Sequence, residues 1–296
     1  MRWPERVRSF SIHDHLEHLQ QSKHFTKLWS LLLFSATYSP SMSSMLASLR
    51  DLKLLKVLDL SGAALKIFPN EVVKLGHLTY LSINKTEVKK IPKSIGRLKN
   101  LQILDLRHTY VIELPDEILN LQRLCHLLAF QNEDKLNCYS FNNECGFKAP
   151  VEIGNLTSLQ KLCRIEATHG SGICTKKDRE ANPAEVVRHY KDAGPLRYLQ
   201  GLPNLVYLDL VESYEEEELC FQADGFRKLK ILLLSGLEGL GWVIVEEGAM
   251  PRLEELYIQN CKFMEELPSC IEQLTNLTLL DLFDMSDIMV SNFQVE

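Results

Sequence analysis

Two consecutive stretches of equal length decide the fold of this chain. Residues 78–100 read LTYLSINKTEVKKIPKSIGRLKN, and residues 101–123 read LQILDLRHTYVIELPDEILNLQR. Each stretch opens with an L-x-x-L-x-L pattern, continues to an apolar residue followed by proline, and ends with helical spacing. The same pattern also begins at Leu55 and at Leu124, so that its four starts are separated by steps of 23 residues. Self-similarity at a fixed period of this length is typical of repeat architectures.

The pattern returns in the C-terminal part of the chain with a step of 24 residues. These four copies start at Leu205, Leu229, Leu253 and Leu277, and weaker copies start at Val7, Leu28 and Leu159. The distance from Leu159 to Leu205 is twice 23 residues, so one degenerate repeat fits between them. We therefore expect about eleven or twelve repeats in total.

The chemistry of one repeat predicts its local structure. L-x-x-L-x-L alternates with a period of two, which is typical of a short strand whose leucines point to one side. The Pro-x-x-Ile-x-x-Leu segment that follows has helical spacing, and proline is well tolerated where a helix begins. Because one strand and one short helix cannot bury their apolar faces alone, the repeats must stack. We predict an α/β leucine-rich-repeat solenoid, a curved horseshoe with a parallel β-sheet on the concave face and short helices or loops on the convex face.

The chain is predicted to form one leucine-rich-repeat domain over residues 1–296. Within it we distinguish irregular N-terminal repeats (1–54), regular 23-residue repeats (55–130), an irregular or inserted region (131–198) and C-terminal repeats (199–296). The polar stretches 131–150 and 166–198 break the period and are long enough to be loops. Composition agrees with a folded domain, since 45% of the residues are hydrophobic and 24% are charged.

Charge and hydropathy narrow the classes of partner. Residues 1–130 carry 18 basic and 11 acidic side chains, whereas residues 131–296 carry 15 and 28. No dense basic run is interleaved with aromatic residues, so nucleic acid is not expected as a partner. The longest apolar runs have four or five residues, which is too short for a membrane-spanning helix. The charged N-terminus lacks the apolar core of a signal peptide. We therefore expect a cytoplasmic, or nuclear, protein that is neither secreted nor inserted in a membrane.

The residues between the leucines of each strand are the candidate binding site. They alternate with the buried positions and should therefore face away from the core, along the concave wall. Aromatic side chains among charged ones are typical of protein recognition surfaces. The candidate partner-binding residues are Tyr80, Ser82, Asn84, Ile103, Asp105, Arg107, Tyr207, Asp209, Glu255, Tyr257, Gln259, Asp281 and Phe283.

Several stretches carry a resemblance to a known family. Residues 67–72 (IFPNEV), 88–96 (VKKIPKSIG) and 109–115 (TYVIELP) resemble repeats of plant intracellular immune receptors, and residues 3–12 (WPERVRSFSI) resemble the strand that follows their nucleotide-binding module. These receptors are the coiled-coil, nucleotide-binding, leucine-rich-repeat disease-resistance proteins, particularly of the cereal type. The resemblance implies a defence protein whose concave face binds a pathogen effector or a guarded host protein, or the nucleotide-binding module of a receptor.

Other chemistry is not indicated by the sequence. It contains no G-x-x-x-x-G-K-[ST] loop, so the resemblance extends to the repeat region alone and the nucleotide switch is missing. It also contains no G-x-S-x-G or H-E-x-x-H motif, so we expect no enzymatic activity and no cofactor. His13, Asp14, His15 and His18 lack a partner at metal-site spacing, and no metal is expected there.

Two alternative functions remain open at this stage. One is an intracellular scaffold built from the same repeats without an immune role. The other is a secreted inhibitor or receptor ectodomain, which the sequons at Asn84, Asn155 and Asn276 permit but the missing signal peptide disfavours. The eight cysteines lack C-x-x-C pairs and are expected to be reduced, and Cys261 is expected to stabilise the turn of its own repeat.

Overall fold

The computed structural model describes residues 7–13, 27–34, 46–47, 49–129, 147–166, 195–211 and 217–293. The chain divides into two compact units, Met1–Pro150 and Val151–Glu296.

The first unit is built on six short parallel strands. They are β1 (Ser9–His13), β2 (Ser30–Phe34), β3 (Val57–Asp59), β4 (Tyr80–Ser82), β5 (Ile103–Asp105) and β6 (His126–Leu128). Each strand pairs with the next one in the chain. From β3 to β6 the register joins equivalent repeat positions, so that Leu58, Leu81, Leu104 and Leu127 lie side by side. This is the register that a constant step of 23 residues imposes on a parallel sheet.

The leucines form the core of this unit as the repeat pattern predicts. All three leucines of the L-x-x-L-x-L pattern starting at Leu55 are fully buried, and so are their equivalents in the next two repeats. The apolar residues of the following segments, among them Val72, Ile95 and Ile118, are fully buried against them. Burial of these side chains is the main favourable contribution to stacking one repeat on the next.

The helical spacing after each strand corresponds to single turns of 3-10 helix. These turns are Leu49–Asp51, Val72–Lys74, Lys93–Arg97 and Asp116–Asn120. Pro92 and Pro115 precede the last two in extended conformation, with ψ of 150° each. Proline fixes the backbone angle φ near the helical value and lacks the N–H that a helix start would leave unpaired, which explains its position at these boundaries.

The second unit repeats the architecture with a variation. Its strands are β7 (Lys161–Glu166), β8 (Tyr207–Val211), β9 (Glu218–Phe221), β10 (Ile231–Ser235), β11 (Trp242–Val245), β12 (Glu255–Gln259) and β13 (Leu279–Phe283). Strands β7, β8, β10, β12 and β13 pair in that order as a parallel sheet. Its helices are α1 (Pro195–Gln200), α2 (Asp287–Phe293) and the 3-10 turns Val151–Asn155 and Ile271–Gln273.

The two remaining strands form a second, two-stranded parallel sheet. Strand β11 pairs with β9 where the repeat pattern led us to expect a short helix or a loop. The reason lies in the local sequence, because Leu219, Phe221, Val243 and Val245 are buried at alternate positions and no proline opens a helix there. Apolar alternation with a period of two therefore replaces the Pro-x-x-Ile spacing in these two repeats.

Eleven repeat strands, six in the first unit and five in the second, lie in the part of the chain that the model describes. They confirm the predicted fold class of a leucine-rich-repeat solenoid with about eleven or twelve repeats. The insertion at 131–146 and the degenerate repeat expected between Leu159 and Leu205 fall largely outside the described residues. Among the helices of the described ranges, none has the length and apolarity needed to span a membrane.

The cysteines of the described ranges are free thiols in different surroundings. Cys261 is buried, its thiol donates to the carbonyl oxygen of Gln259 at 3.4 Å, and this confirms its predicted role in the turn. Burial raises the pKa of the Cys261 thiol to about 11 from 9.0. Protonation of this thiol therefore favours the folded state below pH 9, and that contribution is lost as the pH rises through about 11.

Thiol reactivity at pH 8 tests the difference in exposure between Cys261 and Cys270. Cys270 is exposed, so the folded chain is expected to react there rapidly with a disulfide reagent, whereas Cys261 should react only after denaturation. Cys270→Ser should remove one fast thiol equivalent. Cys261→Ser should leave the fast phase unchanged and remove one equivalent from the denatured protein. A fast equivalent lost in Cys261→Ser would contradict the burial of this side chain.

Candidate recognition face

In each unit, the residues that alternate with the buried leucines lie on the opposite side of the sheet, which we call the open face. In the first unit, strand register places them in two rows across the strands. The first row is Val57, Tyr80, Ile103 and His126, and the second row is Asp59, Ser82, Asp105 and Leu128. Side chains in one row are separated by the spacing between neighbouring strands, about 4.8 Å.

Second-row side chains of the first unit are used to hold the turns that follow their strands. Ser82 Oγ accepts the backbone N–H of Asn84 at 3.3 Å, and Asp105 Oδ1 accepts the backbone N–H of Arg107 at 3.1 Å. The exposed fraction is 0% for Ser82 and 2% for Asp105. Both residues are thus buried in the unbound chain, and their predicted part in partner binding stays a prediction. Their hydrogen bonds satisfy backbone groups at the strand ends.

Arg107, which follows β5, is held by the carboxylate of Asp105. The Arg107 guanidinium forms two hydrogen bonds with the Asp105 carboxylate, from Nε to Oδ1 at 2.9 Å and from Nη2 to Oδ2 at 2.8 Å. The Arg107 side chain remains 40% exposed. A two-point contact of this kind fixes the guanidinium plane and lowers the entropy lost when a partner binds.

Other candidates of the first unit lie beside this ion pair. Tyr80 and Ile103 are partly exposed neighbours in the first row. Burial, followed by the negative charge of Asp59, raises the pKa of Tyr80, so that its hydroxyl stays protonated at neutral pH and can donate. The side-chain oxygen of Asn84 is buried and accepts no hydrogen bond from the described residues.

The second unit gathers its predicted residues into a continuous patch. The register of strands β8, β10, β12 and β13 aligns three rows, which are Tyr207, Ile231, Glu255 and Leu279, then Asp209, Leu233, Tyr257 and Asp281, then Val211, Ser235, Gln259 and Phe283. All seven residues predicted for this part of the chain lie in these rows. The exposed fraction reaches 42% for Leu279 and 48% for Phe283, so apolar surface accompanies the charges.

An irregular strand adds two cations that the sequence analysis missed. The register of β7 shifts between Leu162 and Ile165, and Arg164 has a positive φ of 53°. Such a bulge re-aims side chains, and Arg164 Nε lies 3.8 Å from Asp209 Oδ2. Lys161 Nζ lies 4.1 Å from the centre of the Tyr207 ring, within range of a cation–π interaction.

Two tyrosines of this patch keep their protons well above neutral pH. Burial, followed by the charge of Asp209, raises the pKa of Tyr207. The hydroxyl of Tyr257 donates to Glu255 Oε2 at 2.7 Å, and this hydrogen bond raises the pKa of Tyr257. Asp209 is buried with 6% of its surface exposed, forms an ion pair with Arg164 and raises the pKa of Tyr207. Its predicted part in partner binding stays a prediction.

Comparison with known proteins finds similar leucine-rich-repeat proteins. A model described as "Leucine-rich repeat region" matches residues 33–177, and one described as "Leucine Rich Repeat" matches residues 252–274. The disease resistance protein RPM1 of Arabidopsis thaliana is 39% identical over 98 residues, which is 33% of this chain and 10% of that protein. The chain is a leucine-rich-repeat solenoid whose repeats are similar to those of plant disease-resistance proteins.

Further relatives of this leucine-rich-repeat region carry similar names. The A. thaliana protein At1g59780, also named for disease resistance, is 27% identical over 319 residues, which is 85% of this chain and 34% of that protein. The region thus spans about a tenth of the first of these two relatives and about a third of the second. The crystal structure titled PEPR1-AtPEP1 shares the fold, with a TM-score of 0.57 and 20% identity over 95% of this region and 34% of that chain.

Sequence reasoning missed some patch residues and named others that lie outside the described residues. Ile231 and Leu233 were overlooked because residues 231–234 read ILLL, in which inward and outward positions look alike. Lys161 and Arg164 belong to the weaker copy that starts at Leu159, from which no residue was assigned to the binding face. The side chains of the histidine cluster at 13–18 are outside the described ranges. No group of three or more His, Cys, Asp or Glu side chains within the described ranges is placed to hold a metal ion.

Proposed function

We propose that this leucine-rich-repeat region is a non-enzymatic recognition module of plant defence that binds a protein through the open face of its second unit. The partner in this proposal is a pathogen effector or a host protein that the receptor guards. The observation that carries the proposal is the patch of partly exposed apolar and aromatic side chains centred on Leu233 and Tyr257. Aromatic and apolar anchors bordered by polar groups dominate the energetics of protein interfaces.

Pre-organisation of the polar groups supports the same proposal. Glu255 holds the Tyr257 hydroxyl, and Lys161 covers the Tyr207 ring. Side chains that are already fixed lose little conformational entropy when a partner arrives, so more of the contact energy becomes affinity. The strands beneath them are rigid and hydrogen-bonded, which is a better support for a binding patch than a loop.

The first unit has a different charge and a different proposed role. Residues 1–130 carry a net positive charge, and Arg107 is fixed on their open face. We assign this unit to contact with the nucleotide-binding module of a receptor, because the immune receptors that the repeats resemble place that module next to their first repeats. Since those receptors are intracellular, the proposed location is the cytoplasm.

Site-specific photo-cross-linking in infected tissue tests the proposal. A benzophenone amino acid at Leu233, with the matched control at exposed Glu247, should trap a pathogen or host protein only from the Leu233 position. The trapped protein, once purified, should bind the wild-type chain and bind Tyr257→Ala about tenfold more weakly, which corresponds to loss of a central aromatic anchor.

Two outcomes of this experiment would contradict the proposal. Equal trapping from Leu233 and Glu247 would show that the open face is not selective. Trapping of no protein from Leu233, in healthy or in infected tissue, would show that the open face of the second unit does not bind the proposed partner. Either result would leave the fold untouched, because the leucines that build it are not altered.

A further inference from the structure

Two large aromatic side chains are exposed on the two-stranded sheet and the repeat beside it. Trp242, the first residue of β11, has an exposed fraction of 55%, and Phe263, in the next repeat, has 67%. Their backbones are close, since a methyl group added to Gly241 would lie 3.9 Å from the Phe263 carbonyl oxygen. We call Trp242 and Phe263 the aromatic edge. It belongs to β11 and to the turn that follows β12, and not to the strands that carry the open face.

The aromatic edge lies in an acidic part of the chain, next to exposed glutamates in the strand register and in the sequence. The carbonyl of Glu217 accepts the backbone N–H groups of Gly241 and Trp242 at 2.8 Å each, and Glu218 is the register partner of Trp242 in the parallel sheet. Glu265 and Glu266 follow Phe263 directly, and these four glutamates are exposed. Residues 217–266 carry ten acidic and five basic side chains. The local potential is therefore negative and favours an approaching cation.

A second exposed tryptophan, Trp29, already has cations of the chain itself close to its ring. The centre of the Trp29 ring lies 5.6 Å from the Arg8 guanidinium carbon and 5.2 Å from Lys56 Nζ. Among the described residues, no Lys or Arg side chain occupies the equivalent place over Trp242. Electron-rich indole faces attract cations, and the acidic surroundings strengthen that preference. Trp242 thus offers a cation–π surface that the described part of the chain does not use.

We propose that the aromatic edge is a docking site for an arginine-rich segment of another protein. A guanidinium stacks on the Trp242 indole while its charge and those of neighbouring arginines meet the surrounding glutamates. Arginine suits the site better than lysine, because its planar group stacks on an aromatic face and pairs with a carboxylate at the same time. Phosphate-bearing partners are disfavoured by the same negative charge.

The test uses a labelled peptide of alternating arginine and glycine and the full chain. The indole N–H resonance of Trp242, assigned with Trp242→Phe, should shift on titration while that of Trp29 stays in place. Trp242→Ala should lower the affinity for the peptide about three- to fivefold, whereas the matched variant Trp29→Ala should bind the peptide like wild type. Equal weakening in both variants, or none in Trp242→Ala, would overturn the proposal.

A charge-matched pair of double variants distinguishes peptide binding at the aromatic edge from attraction by the net charge of the chain. The double variant Glu217→Gln with Glu266→Gln should lower the affinity for the peptide. The control double variant, Glu247→Gln with Glu272→Gln, changes exposed acids outside the four glutamates named above and should keep the affinity within a factor of about two. These surface changes spare the core, so the folded state is retained. Equal loss in both double variants would show that the peptide senses only overall charge and would overturn the proposal. The partner of the open face plays no part in this experiment.

Discussion

Leu104→Ala is expected to unfold the first unit at a much lower denaturant concentration than Ile103→Ala, although the two residues are neighbours on one strand. Leu104 is fully buried in the row formed by Leu81 and Leu127, whereas Ile103 lies on the open face and is partly exposed. Truncation of a buried leucine costs about 2–5 kcal/mol, because apolar contact is lost and a cavity remains. Truncation of a partly exposed isoleucine should cost about 1 kcal/mol.

Urea denaturation followed by far-ultraviolet circular dichroism measures this difference. Both variants remove branched aliphatic carbon from the same strand, so the comparison controls for local β-propensity. Midpoints lowered by the same amount, or a larger effect in Ile103→Ala, would mean that the assignment of inward and outward positions is wrong.

This alternation is also the part of the structure that the sequence predicted best. Positions such as Leu81 and Leu104 recur at a constant step, and a parallel sheet can stack only repeats whose buried positions coincide. The proline-led turns at Pro92 and Pro115 were predictable for the same reason, since residue chemistry and position agree in both repeats. Regular spacing therefore fixed the register, the core and the open face together.

Other features could not be predicted because they depend on contacts between repeats. Asp105 has the same place in its repeat as Tyr257, yet Asp105 is buried and Tyr257 is partly exposed. The Arg107 guanidinium donates to the Asp105 carboxylate, whereas the Tyr257 hydroxyl donates to the Glu255 carboxylate. The bulge that brings Arg164 towards Asp209 depends on an irregular strand, whose sequence alone does not specify its register.

A graded series of glycine variants is expected to show a second large effect. An alanine methyl group at Gly154 would lie 2.2 Å from the carbonyl oxygen of Tyr198, where the Val151–Asn155 turn packs on α1. At Gly96 it would lie 2.7 Å from the carbonyl oxygen of Glu117, and at Gly76 it would meet nothing within 4 Å. Overpacking against backbone costs about 1–3 kcal/mol, so Gly154→Ala should destabilise most and Gly96→Ala less.

Gly76→Ala is the matched control of this series. The substitution adds the same methyl group in open space and removes freedom from the unfolded chain, so stability should be unchanged or raised by about 0.5 kcal/mol. Thermal denaturation ranks the three variants. If Gly154→Ala proved as stable as Gly76→Ala, α1 would not pack on the Val151–Asn155 turn as closely as described.

The central claim is that one repeating pattern buries the leucines and turns the residues between them outward as a binding face. Hydroxyl-radical footprinting of the native chain, read by mass spectrometry, tests it most directly because it reports the accessibility of individual side chains. We expect rapid modification of Leu279 and Phe283 and almost none of Leu208, Leu232 and Leu256. Modification of these three leucines at the rate of Leu279 would contradict the claim.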